Sequence, residues 1–212
     1  MERQVVDVFD FLRKWLNQTK KEEDCIKVIS GGPGSGKSTL AKMFSSLIAI
    51  ENGIKVVYVP LQHLNIKADL TLSLGDYLQE SNFFHHNPLE EIHKYSTKLL
   101  IIFDGLDELS KQGKHVYELA KEFISEIQRK IANINRLDLK LFVLLTGREL
   151  SIQNQSALFR RPNQVINLLP YYFADTTLYI DEKKLLAKDL RNDWWINYGK
   201  LKGLNYEGFP ED

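Results

Sequence analysis

Lys37 and Ser38 close a glycine-rich run, GGPGSGKST from Gly31 to Thr39, whose residue types suit a polyphosphate. The spacing G-x-x-x-x-G-K-[ST] is met by Gly31, Gly36, Lys37 and Ser38. Glycines at 31, 32, 34 and 36 are expected to take positive φ angles and to let a ligand reach the main chain, whose freed N–H groups form an anion nest. The first turn of the helix starting near Lys37 adds unpaired donors and a positive dipole end. Lys37 offers a mobile point charge to the β and γ phosphates, and Ser38 offers its hydroxyl to Mg²⁺, a hard ion that prefers oxygen. Gly31, Gly32, Pro33, Gly34, Ser35, Gly36, Lys37, Ser38 and Thr39 are thus the candidate nucleotide-binding set. A plain flexible Gly/Ser loop is the alternative, but the run follows Cys25–Ile29, which reads as a buried strand, and precedes a helical run from Ser38 to Glu51, as the motif requires.

A second group of chemically useful residues lies in LLIIFDGLDEL, Leu99 to Leu109. Its acids fall at the carboxyl end of a buried strand, where open α/β sheets bind ligands. Asp104 is the candidate for holding Mg²⁺ through water. Asp107 and Glu108 follow, where a carboxylate can orient or deprotonate a water; either can be the base, with Glu108 slightly favoured. The alternative is a solvated acidic loop. A third group, Leu144-Leu145-Thr146-Gly147-Arg148-Glu149, ends another strand on the same edge. Arg148 can sense a γ phosphate by paired hydrogen bonds, and Thr146 can bind the attacking water or the loop holding it; a surface Arg148–Glu149 pair is the competing reading.

These groups need elements to position them. The spacing of Val5, Phe9, Leu12 and Leu16 predicts an amphipathic helix over 3–18, docked on the sheet flank. Strands are expected at 25–29, 54–59, 99–103, 139–145 and 165–168, with helices over 38–51, 71–80, 88–96, 114–134 and 175–190. Gly53 is expected to end the first of these, and the tail from Arg191 to Asp212 shows no stable period. Trp194, Trp195 and Tyr198 in that tail can anchor a partner or cap this domain's own core.

The chain has 212 residues, 43% of them apolar, with Lys+Arg and Asp+Glu balanced at 28 each. That suits one α/β core and gives no global field toward nucleic acid or an anionic membrane. No run is long enough to span a bilayer, the amino terminus lacks the apolar core of a signal peptide, and the lone Cys25 cannot form an internal disulfide, so the expected setting is cytoplasmic. His85, His86 and His93 share no metal-ligand spacing with cysteine or acid clusters, so Mg²⁺ is the single metal expected.

With GGPGSGKST, LLIIFDGLDEL and LFVLLTGRE in this order, the chain resembles the NACHT domain of the signal-transduction ATPases with numerous domains, over about Cys25 to Tyr179. VINLLPYYFADTTLYI, Val165 to Ile180, resembles that family's passage into its helical domain. The resemblance implies a three-layer α/β P-loop NTPase of the additional-strand type, sheet order 5-1-4-3-2, with an N-terminal helix (1–24), a core (25–170) and the start of a helical extension (171–212). It further implies Mg-dependent ATP hydrolysis, ATP and ADP as ligands, self-association of the full-length protein, a trigger or effector partner still to be identified, and a place in innate immunity or antiphage defence. Family members continue into a winged-helix domain whose histidine contacts nucleotide. Every histidine here precedes the fourth strand, so the chain is expected to be a fragment that turns over slowly. An AAA-type motor, a P-loop small-molecule kinase and a module that binds nucleotide without turnover are the rival functions.

Overall fold

The computed structural model describes residues 3–51, 54–81, 86–112, 116–172, 176–187, 189–205 and 208. Gly53, His85 and His115 lie outside these. In chain order the elements are β1 (Arg3–Gln4), α1 (Val8–Gln18), β2 (Ile26–Ser30), α2 (Lys37–Ile50), β3 (Ile54–Pro60), α3 (Leu70–Ser81), β4 (Lys98–Asp104), α4 (Val116–Ile134), β5 (Leu141–Gly147), α5 (Glu149–Asn154), β6 (Val165–Asn167), β7 (Tyr179–Ile180) and α6 (Arg191–Leu201), joined in places by short 3-10 turns. The chain divides into a larger unit, Lys14–Leu168, and a smaller one made of Met1–Arg13 with Leu169–Asp212.

The larger unit is built on a five-stranded parallel sheet in the order β3-β4-β5-β2-β6. This is the order that the family resemblance implied. β2 and β5 are buried along their whole length and β4 along all but its first residue, as in parallel strands covered on both faces; β4 and β5 read as near-continuous apolar runs, whereas β2 carries Lys27, whose Nζ donates to the Asn163 carbonyl at 2.8 Å. Phe103 of β4 meets Phe123 of α4 edge to face at 5.2 Å, while Phe142 of β5 meets Trp15 of α1 at 5.5 Å. Phe103 is in register with Leu145, so Phe103 and Phe142 point to opposite faces and helices cover both sides. Cys25 packs here as a small apolar residue; burial pushes its thiol up to about 12, leaving it protonated and unreactive.

Asn135 fixes where β5 begins. Buried at the end of α4, it donates to the Leu141 carbonyl at 2.8 Å and accepts from the N–H groups of Lys140 and Leu141 at 3.0 and 2.8 Å. Asn135→Ala strands these backbone groups and is expected to lower unfolding stability by about 2 kcal/mol, read by urea denaturation. A loss below about 0.5 kcal/mol would mean that water replaces the amide there.

Several local expectations are corrected. α1 starts at Val8, not at residue 3, because the Asp7 carboxylate accepts the Asp10 N–H at 2.9 Å and so caps the helix, leaving Arg3–Gln4 to pair in parallel with β7 in the smaller unit. Residues 88–96 form turns with one 3-10 turn, Ile92–Lys94, and no α-helix. The stretch expected to be helical over 175–190 holds β7 and a 3-10 turn, Leu185–Ala187, where the Asp181 carboxylate accepts the N–H groups of Leu185 and Leu186. The tail forms α6, started where Asp189 accepts the Arg191 N–H at 2.9 Å, with Trp194 and Tyr198 stacked one turn apart at 5.4 Å.

Candidate functional site

Parallel pairing gathers the chemically useful residues at one edge of the sheet. At the carboxyl ends Ser30 lies beside Gly147 and Pro60 beside Asp104. The phosphate-loop candidate, the acids after β4 and the segment after β5 therefore leave the sheet together.

The loop from Gly31 to Gly36 leads into α2, and Gly36, with φ 86°, is its N-cap. The expectation of positive φ at four glycines holds at two, Gly34 and Gly36. Gly31 is crowded instead: a Cβ there would meet Ser35 Oγ at 2.6 Å and Leu168 Cβ at 3.3 Å, so the Ser35 side chain would have to move. Gly32 has neither a positive φ nor a crowded Cβ position. Lys37 Nζ donates to the Gly31 and Gly32 carbonyls at 2.9 and 2.7 Å and to Ser35 Oγ at 3.3 Å, so it ties the loop together from inside. Ser38 and Thr39 are exposed on the first turn of α2.

Asp104 ends β4 almost fully buried, and its two oxygens are held from the two flanking strands. Thr146 Oγ donates to Oδ1 at 2.5 Å, and Tyr58 Oη donates to Oδ2 at 2.7 Å. Thr146 also accepts the Gly105 N–H at 3.0 Å, so it holds the loop after β4 and its own proton points at Asp104. Burial, and then the Asp104 carboxylate, push the Tyr58 phenol upward from its ordinary range, which keeps it a donor.

Asp107 and Glu108 lie in a 3-10 turn, Leu106–Gln112, and differ in surroundings. Arg148 donates to Asp107 twice, from its main-chain N–H at 3.2 Å and from Nε at 2.8 Å. Arg148 is thus tied to Asp107 and not to its chain neighbour Glu149, while its side chain stays more than half exposed. Glu108 folds back over Gly105: its N–H donates to the Gly105 carbonyl at 2.8 Å, and a Cβ at Gly105, whose φ is 89°, would meet Glu108 Cγ at 2.8 Å. Glu108 Oε2 is shielded from solvent.

Pro33, Gly34, Lys37, Ser38, Asp104, Gly105, Asp107, Glu108, Thr146 and Arg148 line one cavity of about 330 Å³. Of the candidates, Gly31, Gly32, Ser35, Gly36 and Thr39 are outside its lining. The sequence reading missed Lys42, Tyr58, Pro60 and Gln62, which complete the wall. Tyr58 was within reach, since it lies two residues before the carboxyl end of β3 on that same edge.

Residues 26–181 match the NACHT domain family model. The chain belongs to the NACHT family. As a NACHT domain it is a P-loop NTPase domain, a class that binds nucleotide. A search of curated proteins returned no match. Similar solved structures include C. elegans PCH-2, at 15% identity and a TM-score of 0.46 over 76% of this chain and 42% of that one. They also include the Aeropyrum pernix ORC2 protein in ADPNP–ADP complexes, at 17% identity and a TM-score of 0.48 over 77% and 46%. The HORMA:CdnC:Trip13 complex of E. coli MS115-1 matches at 17% identity and a TM-score of 0.42 over 75% and 56%. The NACHT chain spans about half the length of these solved chains. Among its described residues no helix is long and apolar enough to cross a membrane.

Proposed function

We propose that this NACHT domain binds ATP with magnesium, hydrolyses it slowly, and serves as a nucleotide switch for self-association in a signalling or defence protein. The reading is carried by the convergence of the phosphate loop, the acids after β4 and Arg148 on a single cavity. Loop amides and Lys37 hold the β and γ phosphates, and Lys37 trades its bonds to the Gly31 and Gly32 carbonyls for phosphate oxygens.

The residues present fit magnesium. Ser38 supplies a hydroxyl and Asp104 a carboxylate whose oxygens each accept one hydrogen bond and keep lone pairs to spare. No cluster of three or more His, Cys, Asp or Glu able to hold a metal occurs among the described residues. One hydroxyl and one carboxylate suit an ion that shares its shell with phosphates and water. When bound, magnesium neutralises charge on the phosphates. Glu108 takes a proton from the attacking water as the bond to the γ phosphorus forms and the bridging bond breaks, releasing ADP and phosphate. Arg148 offers its guanidinium to the γ phosphate in place of Asp107. The switching role and the defence setting are supported by the family's signalling character.

ATP is expected to outcompete GTP, since the guanine-reading Asn-Lys-x-Asp signature is absent from the sequence. In displacement of a fluorescent ATP analogue, ATP should act at about tenfold lower concentration than GTP. Equal displacement would sink the adenine preference, and no displacement by either would sink the nucleotide reading.

A further inference from the structure

Tyr58 belongs to none of the motifs, yet it makes one of the two hydrogen bonds that hold the Asp104 carboxylate among the described residues. The two come from opposite sides, Thr146 on β5 to Oδ1 and Tyr58 on β3 to Oδ2. Asp104 is 8% exposed, and a carboxylate so buried needs donors to stay charged and oriented. Thr146 spends its one hydroxyl proton on Asp104 while its oxygen accepts from the Gly105 N–H. The rotation of the carboxylate about its last bond is then set by its second donor, the Tyr58 phenol. Its length matches an O–H···O⁻ hydrogen bond, the stronger kind. The ring has a separate neighbour, Lys42, with Nζ 5.9 Å from its centroid, and phenylalanine would keep that contact.

We propose that Tyr58 is a positioning residue for magnesium, acting through Asp104 by fixing which lone pairs of the carboxylate face the cavity. This rests on the nucleotide-and-magnesium reading of that cavity. Loss of a hydrogen bond to a metal-holding group costs about tenfold or more in metal affinity.

The test is binding of a non-hydrolysable fluorescent ATP analogue, titrated with magnesium and repeated in EDTA, for the wild type, Tyr58→Phe, Asp104→Asn and the double variant. Tyr58→Phe should raise the magnesium midpoint about tenfold while leaving affinity in EDTA unchanged. In the Asp104→Asn background the same substitution should add less than about twofold, because Tyr58 acts through that carboxylate. Melting without ligand separates packing from positioning. A lower melting temperature with an unmoved midpoint, or equal losses with and without magnesium, assigns Tyr58 to packing and overturns the proposal. A shift of full size in the Asp104→Asn background overturns it too. Wild-type binding that ignores magnesium overturns the metal reading itself, and the role of Tyr58 falls with it.

Discussion

Lys37→Ala is expected to lower Mg·ATP affinity by about 100-fold, or ~2.7 kcal/mol, without unfolding the domain. Two effects add. The substitution removes the point charge aimed at the β and γ phosphates, and it removes the three bonds by which Lys37 Nζ holds the Gly31 and Gly32 carbonyls and Ser35 Oγ. The loop then loses the preorganisation that keeps its amides converging. The fold survives because the bonds lost are those of the loop, to the Gly31 and Gly32 carbonyls and Ser35 Oγ, while the sheet beneath is secured by β2–β5 pairing from Ile26 to Ser30. Lys37→Arg separates the terms: charge returns, but a planar fork does not fit between two carbonyls as an ammonium does. Calorimetry measures both variants. Unchanged ATP affinity in Lys37→Ala would mean that the glycine loop is not the phosphate cradle.

What was legible in the sequence was local or strongly periodic. The phosphate loop is contiguous, so its residue types and spacing state its chemistry directly. Two of the inner strands, β4 and β5, are near-continuous apolar runs and could be found as strands from that alone, whereas the order of the sheet came from the resemblance to the NACHT family. Short-range capping was harder to read. Asp7 and Asp189 set the starts of α1 and α6 with single side-chain bonds, and neither disturbs apolar periodicity enough to show. α6 escaped because its aromatics stack on one another in a largely exposed row, so no apolar face marks the helix. The long-range polar pairs were invisible for another reason. Tyr58 and Asp104 are 46 residues apart, and Asp107 and Arg148 are 41 apart; only strand pairing brings them together. The motif readings treated Asp107 and Arg148 as independent, whereas they hold each other.

That pairing bears on which acid moves the proton. Glu108→Gln is expected to cut single-turnover hydrolysis by at least about 100-fold with ATP binding retained, since a positioned general base contributes about 10²–10⁴-fold. Asp107 is a poorer candidate, because each of its oxygens already accepts a bond from Arg148, one from the main-chain N–H and one from Nε, so the arginine sets where the carboxylate lies. Glu108 is held by the turn at Gly105, with an oxygen out of bulk solvent where electrostatic interactions are stronger. Asp107→Asn should therefore act differently. It frees Arg148 from its ion pair, so turnover falls by only about tenfold and the loss appears as a misplaced arginine, reproduced by Arg148→Ala and not additive with it. Asp104→Asn, by contrast, should raise the magnesium requirement of both binding and turnover. Single-turnover assays across a magnesium titration distinguish the three. If Asp107→Asn were the more damaging change, with Glu108→Gln near wild type, the base would be Asp107 and Arg148 its keeper until the γ phosphate draws the guanidinium away. If all three behaved alike, the division of labour among these acids would fall.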